Sequence, residues 1–157
     1  MELKISSFDL GERPSVSLPD PQFFKLITEQ GIREMVSKHY DLLVKSSIKH
    51  LFPGDKEHLD LAKQHSADFL IQLCGGPRHY ENNRGKPMLV NRHAPFAITP
   101  SARLVWLECY AIVLSGLDLP EDVILTFWNY INVFSSWMVN SQEFTKIHTD
   151  AVKHKLT

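Results

Sequence analysis

Three features of the sequence predict an all-helical fold. Apolar residues recur every three or four positions over several long segments, which is the spacing of one face of an α-helix. A capping residue followed by proline stands at Asp20-Pro21 and again at Thr99-Pro100, which is how many helices begin. No segment alternates apolar and polar residues clearly enough to be a β-strand.

The chain starts with an extension for which no regular structure is expected. Residues 1 to 19 show no sustained period and contain two prolines. A short helix is predicted to begin at Asp20-Pro21 and to end at Gly31. A second helix should then run to about Lys45, because apolar or aromatic residues follow one face of it: Ile32, Met35, Val36, His39, Tyr40 and Leu43.

The middle of the chain predicts one more long helix and then a break. Residues Ser46 to Phe52 are expected to form a turn or a short helical piece, which Pro53-Gly54 ends. From about Lys56 to Cys74 the pattern is again amphipathic, with one side formed by Leu59, Ala62, Ser66, Phe69, Leu70 and Leu73. Gly75-Gly76-Pro77 then interrupts the helix, and an irregular loop is expected from there to Pro87.

A single histidine follows this loop in a tightly bounded position. The apolar run Met88-Leu89-Val90 leads into Asn91-Arg92-His93, and Pro95 stops the segment. The sequence therefore predicts a very short helix that presents one imidazole at its end.

Two helices complete the predicted fold. The segment from Pro100 to about Gly116 is apolar over most of its circumference, so it should lie centrally. Acidic residues around Pro120 suit the start of the next helix, whose apolar stripe consists of Val123, Phe127, Tyr130, Ile131, Phe134, Trp137 and Met138. From Gln142 onward the sequence predicts a short, polar, optional helix.

Composition narrows the class of protein. At 157 residues, with 43% apolar and 22% charged residues, the chain predicts one globular domain large enough to bury a ligand. A net charge of -1 gives no reason to expect nucleic acid or an anionic membrane as partner. There is no apolar run of signal-peptide or membrane-spanning length, and two cysteines cannot form a disulfide framework. These features predict a reduced, cytoplasmic protein.

Spacing alone does not single out His93. The chain has eight histidines, and a histidine at a helix end can simply interact with the helix dipole. Other chemistries find no support, since no Glu has a His three residues on, and neither a phosphate loop nor a nucleophile elbow is present.

The stretch from Gly75 to Trp106 resembles group II of the truncated haemoglobins. The matching phrases are the Gly75-Gly76-Pro77 break, Arg92-His93-Ala94-Pro95-Phe96-Ala97-Ile98, and Arg103-Leu104-Val105-Trp106-Leu107-Glu108-Cys109. With the helices on either side, the similarity covers roughly residues 20 to 140. It implies a single globin domain over residues 1–157, a two-over-two helical sandwich around one haem b, with extensions at 1–19 and 141–157.

The resemblance also implies roles for individual residues. His93 would be the proximal ligand of the haem iron, with Arg92 beside it pairing with a propionate. Tyr40 and Trp106 would donate hydrogen bonds to the bound ligand, although each would look the same as a core residue with its polar atom satisfied elsewhere. The expected contacts of the haem are Phe52, His65, Phe69, Met88, Leu89, Arg92, His93, Phe96, Trp106 and Val139.

Two positions shape the distal side further. Ala62 stands where larger globins have a distal histidine, and its methyl group cannot donate a hydrogen bond. Ser66, one turn later, is expected to add a weak hydrogen bond or to hold a water molecule. Instead of pairing with a propionate, Arg92 could be a solvated surface residue.

Two classes of function are compatible with such a site. One is reversible binding of oxygen and other diatomic ligands, such as nitric oxide and carbon monoxide, for transport, storage or sensing. The other is haem redox enzymology, either nitric oxide dioxygenation with a reductase partner or peroxidase-like turnover. The alternative to both is a helical interaction module that has lost haem. Residues 1 to 18 and 142 to 157 are expected to be dispensable for haem binding, and the sequence does not indicate an oligomeric state.

Overall fold

The computed structural model describes residues 1–143 of the chain. Within this part there are six α-helices and no strand: α1 (Pro21–Leu43), α2 (Lys56–Leu73), α3 (His79–Arg84), α4 (Leu89–His93), α5 (Pro100–Ser115) and α6 (Glu121–Phe134). Two 3₁₀ helices, Lys49–Leu51 and Ser135–Met138, lie between α1 and α2 and after α6. The predicted all-helical fold is confirmed. The helix predicted from Gln142 falls almost wholly outside the described residues.

Helix α1 starts where the sequence predicts but breaks elsewhere. The Asp20 carboxylate accepts a hydrogen bond from the backbone of Gln22 at 2.8 Å, and Pro21 follows at the first helical position. The predicted end at Gly31 is wrong, because α1 continues to Leu43 and its only non-helical residue is Thr28, with φ 69° and ψ 170°. At Gly31, an added Cβ would lie 2.6 Å from Ile27 Cγ1, so glycine leaves room for the side chain that precedes the kink.

The segment expected to be an irregular loop contains a helix. Six of its residues form α3. In this helix the backbone N–H of Glu81 donates to the side-chain oxygen of Gln72 on α2 at 3.0 Å. The break before α3 packs closely on α1, since a Cβ at Gly76 would meet the ring of Phe24 at 2.6 Å. Because the contact with Gln72 comes from outside the loop, the sequence of the loop did not reveal the helix.

The helices form the two-over-two arrangement. The α1 helix packs against α2, α5 and α6, and α5 packs against α6. Aromatic side chains fill the centre, where Phe23 of α1 stacks on Phe127 of α6 with ring centroids 4.8 Å apart. A half-buried ion pair adds to the α1–α2 contact, because Arg33 lies 2.8 Å from Asp68, which is 3% exposed. No helix of the described part is long and apolar enough to span a bilayer.

Residues 1 to 19 form a strap that lies along α5, α6 and the 3₁₀ helix Ser135–Met138. The indole N–H of Trp128 donates to the Lys4 carbonyl at 3.0 Å, and that of Trp137 donates to the Pro14 carbonyl at 3.1 Å. Arg103 donates to the Ser6 carbonyl at 2.8 Å. The strap is therefore attached along its length to the helices that close the fold.

Deleting residues 1 to 18 is expected to lower stability while leaving ligand binding intact. Loss of these hydrogen bonds and of apolar packing by Leu3, Ile5 and Val16 should cost on the order of 3 kcal/mol in unfolding free energy. Urea denaturation would measure it, with the full-length variant Leu3→Ser/Ile5→Ser separating side-chain packing from the backbone contacts. An unchanged midpoint in the truncated chain would contradict the structural role of the strap.

Candidate functional site

His93 is the last residue of α4, and its ring is oriented by the backbone of its own helix. Nδ1 lies 2.6 Å from the Leu89 carbonyl oxygen. A carbonyl only accepts hydrogen bonds, so in the neutral ring Nδ1 carries the proton and Nε2 keeps its lone pair. Among residues 1–143, Nε2 has no hydrogen-bond partner. An imidazole held in this tautomer, with Nε2 vacant, is the form that ligates a metal ion.

The short helix that carries His93 is anchored from the far end of the described chain. The side-chain amide of Asn140 donates to the Phe96 carbonyl at 2.9 Å and to the His93 carbonyl at 3.5 Å. Asn140 also accepts from the backbone N–H of Ile98 at 3.0 Å. These bonds fasten both sides of Pro95 to the segment after α6. The position of the imidazole thus depends on residues that are about 45 positions away in sequence.

Tyr40 meets two of the other predicted residues. Its ring makes an edge contact with Phe52 at 5.6 Å between centroids, and Ser66 of α2 lies near its hydroxyl. Burial raises the pKa of Tyr40, which the Ser66 hydroxyl only partly offsets. The phenol therefore stays protonated at neutral pH and keeps a proton to donate. Ala62, one turn before Ser66, adds a half-buried methyl group.

Trp106 lies on α5 against a buried histidine that was not among the predicted site residues. The ring of His39 makes an edge contact with Trp106 at 5.1 Å and stacks on Tyr110 at 3.5 Å between centroids. Its Nε2 lies 3.0 Å from the Trp106 carbonyl oxygen. Since the carbonyl accepts, Nε2 is the protonated nitrogen of a neutral ring. In the sequence His39 could be recognised only as a member of the inward face of α1.

Burial lowers the pKa of His39 to about 3, and the bond to Trp106 offsets only part of this shift. In the unfolded chain a histidine titrates near 6.5. Below pH 6.5 the unfolded state therefore binds a proton at His39, whereas the folded state leaves His39 unprotonated until the pH approaches 3. Titration of His39 therefore leaves the unfolding free energy unchanged above pH 6.5 and lowers it as the pH falls toward 3.

Replacing His39 by phenylalanine should make the protein less sensitive to acid. Between pH 6.5 and 4.5 the wild type is expected to lose about 2 kcal/mol of unfolding free energy that the variant does not lose. Urea unfolding at the two pH values measures the difference, and carboxylates with lowered pKa values, such as Glu29, contribute equally to both proteins. Equal losses in the two proteins would show that His39 becomes protonated inside the fold.

A basic cluster forms one edge of the site. Arg84 Nη1 lies 2.9 Å from His65 Nδ1, and Arg92 Nη2 donates to the Arg84 carbonyl at 3.1 Å. Both guanidinium groups lie over the ring of Tyr80, at 5.9 Å and 5.6 Å from its centroid. Burial lowers the pKa of His65, and the charges of Arg84 and Arg92 lower it further.

No carboxylate of the described residues neutralises the two arginines of this cluster. Within residues 1–143, neither Arg84 nor Arg92 pairs with a carboxylate, and Arg92 Nε and the Tyr80 hydroxyl are buried without a hydrogen-bond partner. Unsatisfied buried donors are uncommon in native proteins. The cluster therefore suits an anionic ligand group. Sequence reasoning named Arg92 and His65 here but missed Arg84 and Tyr80, because both belong to α3.

The remaining predicted contacts are apolar and incompletely covered. Met88 and Phe96, on either side of α4, are 55% and 47% exposed, which is unusual for two large apolar side chains flanking one histidine. Phe52, Phe69, Leu89 and Val139 are half-buried. Phe69 makes an edge contact with Tyr80 at 5.8 Å, which joins the apolar lining to the basic cluster.

Two cavities of the described part lie away from the predicted residues. A cleft of about 570 Å³ lies between Leu18–Pro21, Leu73–Gly75 and Thr126, and a groove of about 380 Å³ lies between α1 and α5 around Ile112. Neither contacts His93, Tyr40 or Trp106. The described part contains no group of three or more His, Cys, Asp or Glu residues that could hold a metal ion.

Comparison with known proteins gives one consistent result. A family model described as bacterial-like globin matches residues 22–140. The Group 2 truncated hemoglobin YjbI of Bacillus subtilis is 28% identical over 121 residues, which cover 76% of this chain and 89% of that protein. The crystal structure of phosphate-bound Hell's gate globin IV superimposes with a TM-score of 0.82 at 30% identity, covering 97% of this chain and 98% of the other. The group II truncated hemoglobin of Bacillus anthracis gives 0.72 at 29% identity, covering 77% and 98%.

Proposed function

This chain belongs to the bacterial-like globins, in group II of the truncated haemoglobins, and on that premise we propose that it holds one haem b through His93 and reversibly binds oxygen, nitric oxide and carbon monoxide. Globins bind haem and small gaseous ligands. The observation that carries the proposal for this chain is the ring of His93, which donates through Nδ1 at 2.6 Å and leaves Nε2 vacant.

The basic cluster would hold the haem by its edge. Arg84, Arg92 and His65 would face the two propionates, and the Tyr80 hydroxyl and Arg92 Nε would gain acceptors there. The body of the porphyrin would cover apolar side chains that are otherwise exposed or half-buried: Phe52, Phe69, Met88, Leu89, Phe96 and Val139. The residues present therefore fit the group in both charge and polarity.

When bound, haem would supply an iron able to bind a small diatomic ligand. For that ligand, we assign the donation of hydrogen bonds to the Tyr40 hydroxyl and the Trp106 indole N–H, with Ser66 as a weaker donor. Ala62 has only a methyl group and Phe52 has no polar side-chain atom, so neither can take this role. The contact between Ser66 and Tyr40 would also orient the phenol in the absence of a ligand.

The visible absorption spectrum of the purified protein tests the proposal. We expect a Soret band in the ferric form, a shift on reduction, and a further sharp shift when carbon monoxide is added. The pyridine haemochrome derivative would identify haem b. A protein that remains colourless after reconstitution with equimolar hemin would refute the proposal and would favour the helical interaction module.

A further inference from the structure

His39 differs from the other polar side chains that the described part of the chain buries. The buried polar side chains are His39, Asp68 and Asn132, which are 1%, 3% and 6% exposed. Asp68 pairs with Arg33, and Asn132 bonds with Ser6 and Arg103 of neighbouring segments. His39 instead lies among the aromatic rings of the proposed distal side. It adjoins Tyr40 in sequence and contacts Trp106 in space.

The contacts of His39 define the rotation of α5. Its Nε2 donates to the carbonyl of Trp106, and its ring stacks on Tyr110 at an interplanar angle of 26°. Trp106 and Tyr110 are four residues apart and therefore lie on the same face of α5. One ring from α1 thus contacts two successive turns of α5, which restrains rotation of that helix about its axis.

Both proposed distal donors depend on that restraint. The direction of the Trp106 indole follows the rotation of α5, and the position of the Tyr40 hydroxyl follows the backbone that carries His39. The two side chains extend from different helices, and the bond at 3.0 Å between His39 and Trp106 joins those helices at this level. Hydrogen bonds weaken steeply as their angle and length depart from the optimum. Small movements of either helix should therefore weaken the hydrogen bonds to the ligand.

We infer that His39 is a positioning residue for the distal hydrogen bonds: its neutral ring, donating through Nε2 to the Trp106 carbonyl, aligns Trp106 and Tyr40 toward one point. This inference rests on the proposed function. Burial among Trp106, Tyr110 and Tyr40 keeps the ring neutral, consistent with its lowered pKa. A protonated ring would have to donate from Nδ1 as well and would disturb this packing.

The test compares two substitutions in the full-length protein loaded with haem. His39→Phe keeps an aromatic ring and removes the donor, whereas His39→Gln keeps an N–H donor and removes the ring. Val36→Ala serves as the control, because Val36 is fully buried on α1 one turn earlier and its truncation destabilises the same helix. The readouts are oxygen dissociation by stopped flow and the iron–carbon monoxide stretching band by resonance Raman scattering.

We expect His39→Phe to release oxygen about three to ten times faster and to broaden or split the stretching band. His39→Gln should recover at least half of that change on a logarithmic scale, while Val36→Ala should lower the melting temperature and leave both readouts near wild type. Three variants with equal effects, or a His39→Phe protein with the wild-type band, would overturn the inference.

Nuclear magnetic resonance of ¹⁵N-labelled apo-protein separates this inference from the proposed function. A His39 ring in the Nε2-protonated tautomer that does not titrate between pH 7 and 5 is expected with or without haem. A titrating ring or the opposite tautomer would overturn the role of His39. A wild-type protein that takes up no haem would refute the proposed function instead.

Discussion

Replacing His93 by alanine should abolish the Soret band of the purified protein. The ring of His93 is the one imidazole that the structure presents at the end of α4 with Nδ1 bonded to a carbonyl and Nε2 vacant. Without it, the haem would lose its bond from the protein and retain only apolar contacts and the basic cluster. We expect the loss to be essentially complete in protein purified by gel filtration, and absorption at the Soret maximum relative to 280 nm measures it.

Two further measurements make this result specific to the ligand. Added imidazole should restore much of the band in His93→Ala, because a free imidazole can enter the cavity left by the side chain. His50→Ala removes an exposed histidine and should leave the spectrum unchanged. A His93→Ala protein with a five-coordinate ferrous spectrum like that of the wild type would show that the iron is held elsewhere.

Removing the distal donors should accelerate oxygen release by a large factor. Bound oxygen carries partial negative charge, and a hydrogen bond to it in a pocket poor in water contributes on the order of 1 to 3 kcal/mol, or roughly ten- to a hundredfold in dissociation rate. Tyr40→Phe and Trp106→Phe should each show this effect in stopped-flow measurements. Carbon monoxide release should change far less, because that ligand is much less polar when bound.

The double variant distinguishes cooperation from independence. Tyr40 and Trp106 extend from different helices that His39 connects, so we expect their combined effect to differ from the product of the single effects. Ser66→Ala is the matched control for a weak donor and should change the rate least. Unchanged oxygen release in both single variants and in the double would assign the distal hydrogen bond to Ser66 or to an ordered water molecule.

Local sequence was sufficient for most helix positions and for His93. Capping residues, proline and glycine act on their immediate neighbours, so they determine helix boundaries locally. They mark the start of α1 at Pro21, the start of α5 at Pro100 and the end of α2 before Gly75. The resemblance to group II truncated haemoglobins rests on the same short phrases, and the family comparison confirms it. The role of His93 stays a prediction that its tautomer supports.

Tertiary contacts determined the features that the sequence did not indicate. Helix α3 depends on Gln72 of α2, so the prediction of an irregular loop hid Tyr80 and Arg84 and, with them, half of the basic edge. The kink of α1 lies at Thr28, three positions before the glycine that accommodates it. The contact of Gln72 comes from outside the predicted loop, whereas the kink and its glycine are neighbours in sequence, so the second error concerns only the position of the break.

The sequence alone determined an all-helical chain with the globin phrases around His93, because helix boundaries and short motifs depend on residues close together in the chain. Only the tertiary structure decided the protonation state of His39 and its contacts with Tyr40 and Trp106. The bond between His39 and Trp106 spans 67 positions, and the burial that keeps the ring neutral comes from α5. A histidine on the inward face of a helix acquires its tautomer and its pKa only when the opposing helix has packed against it.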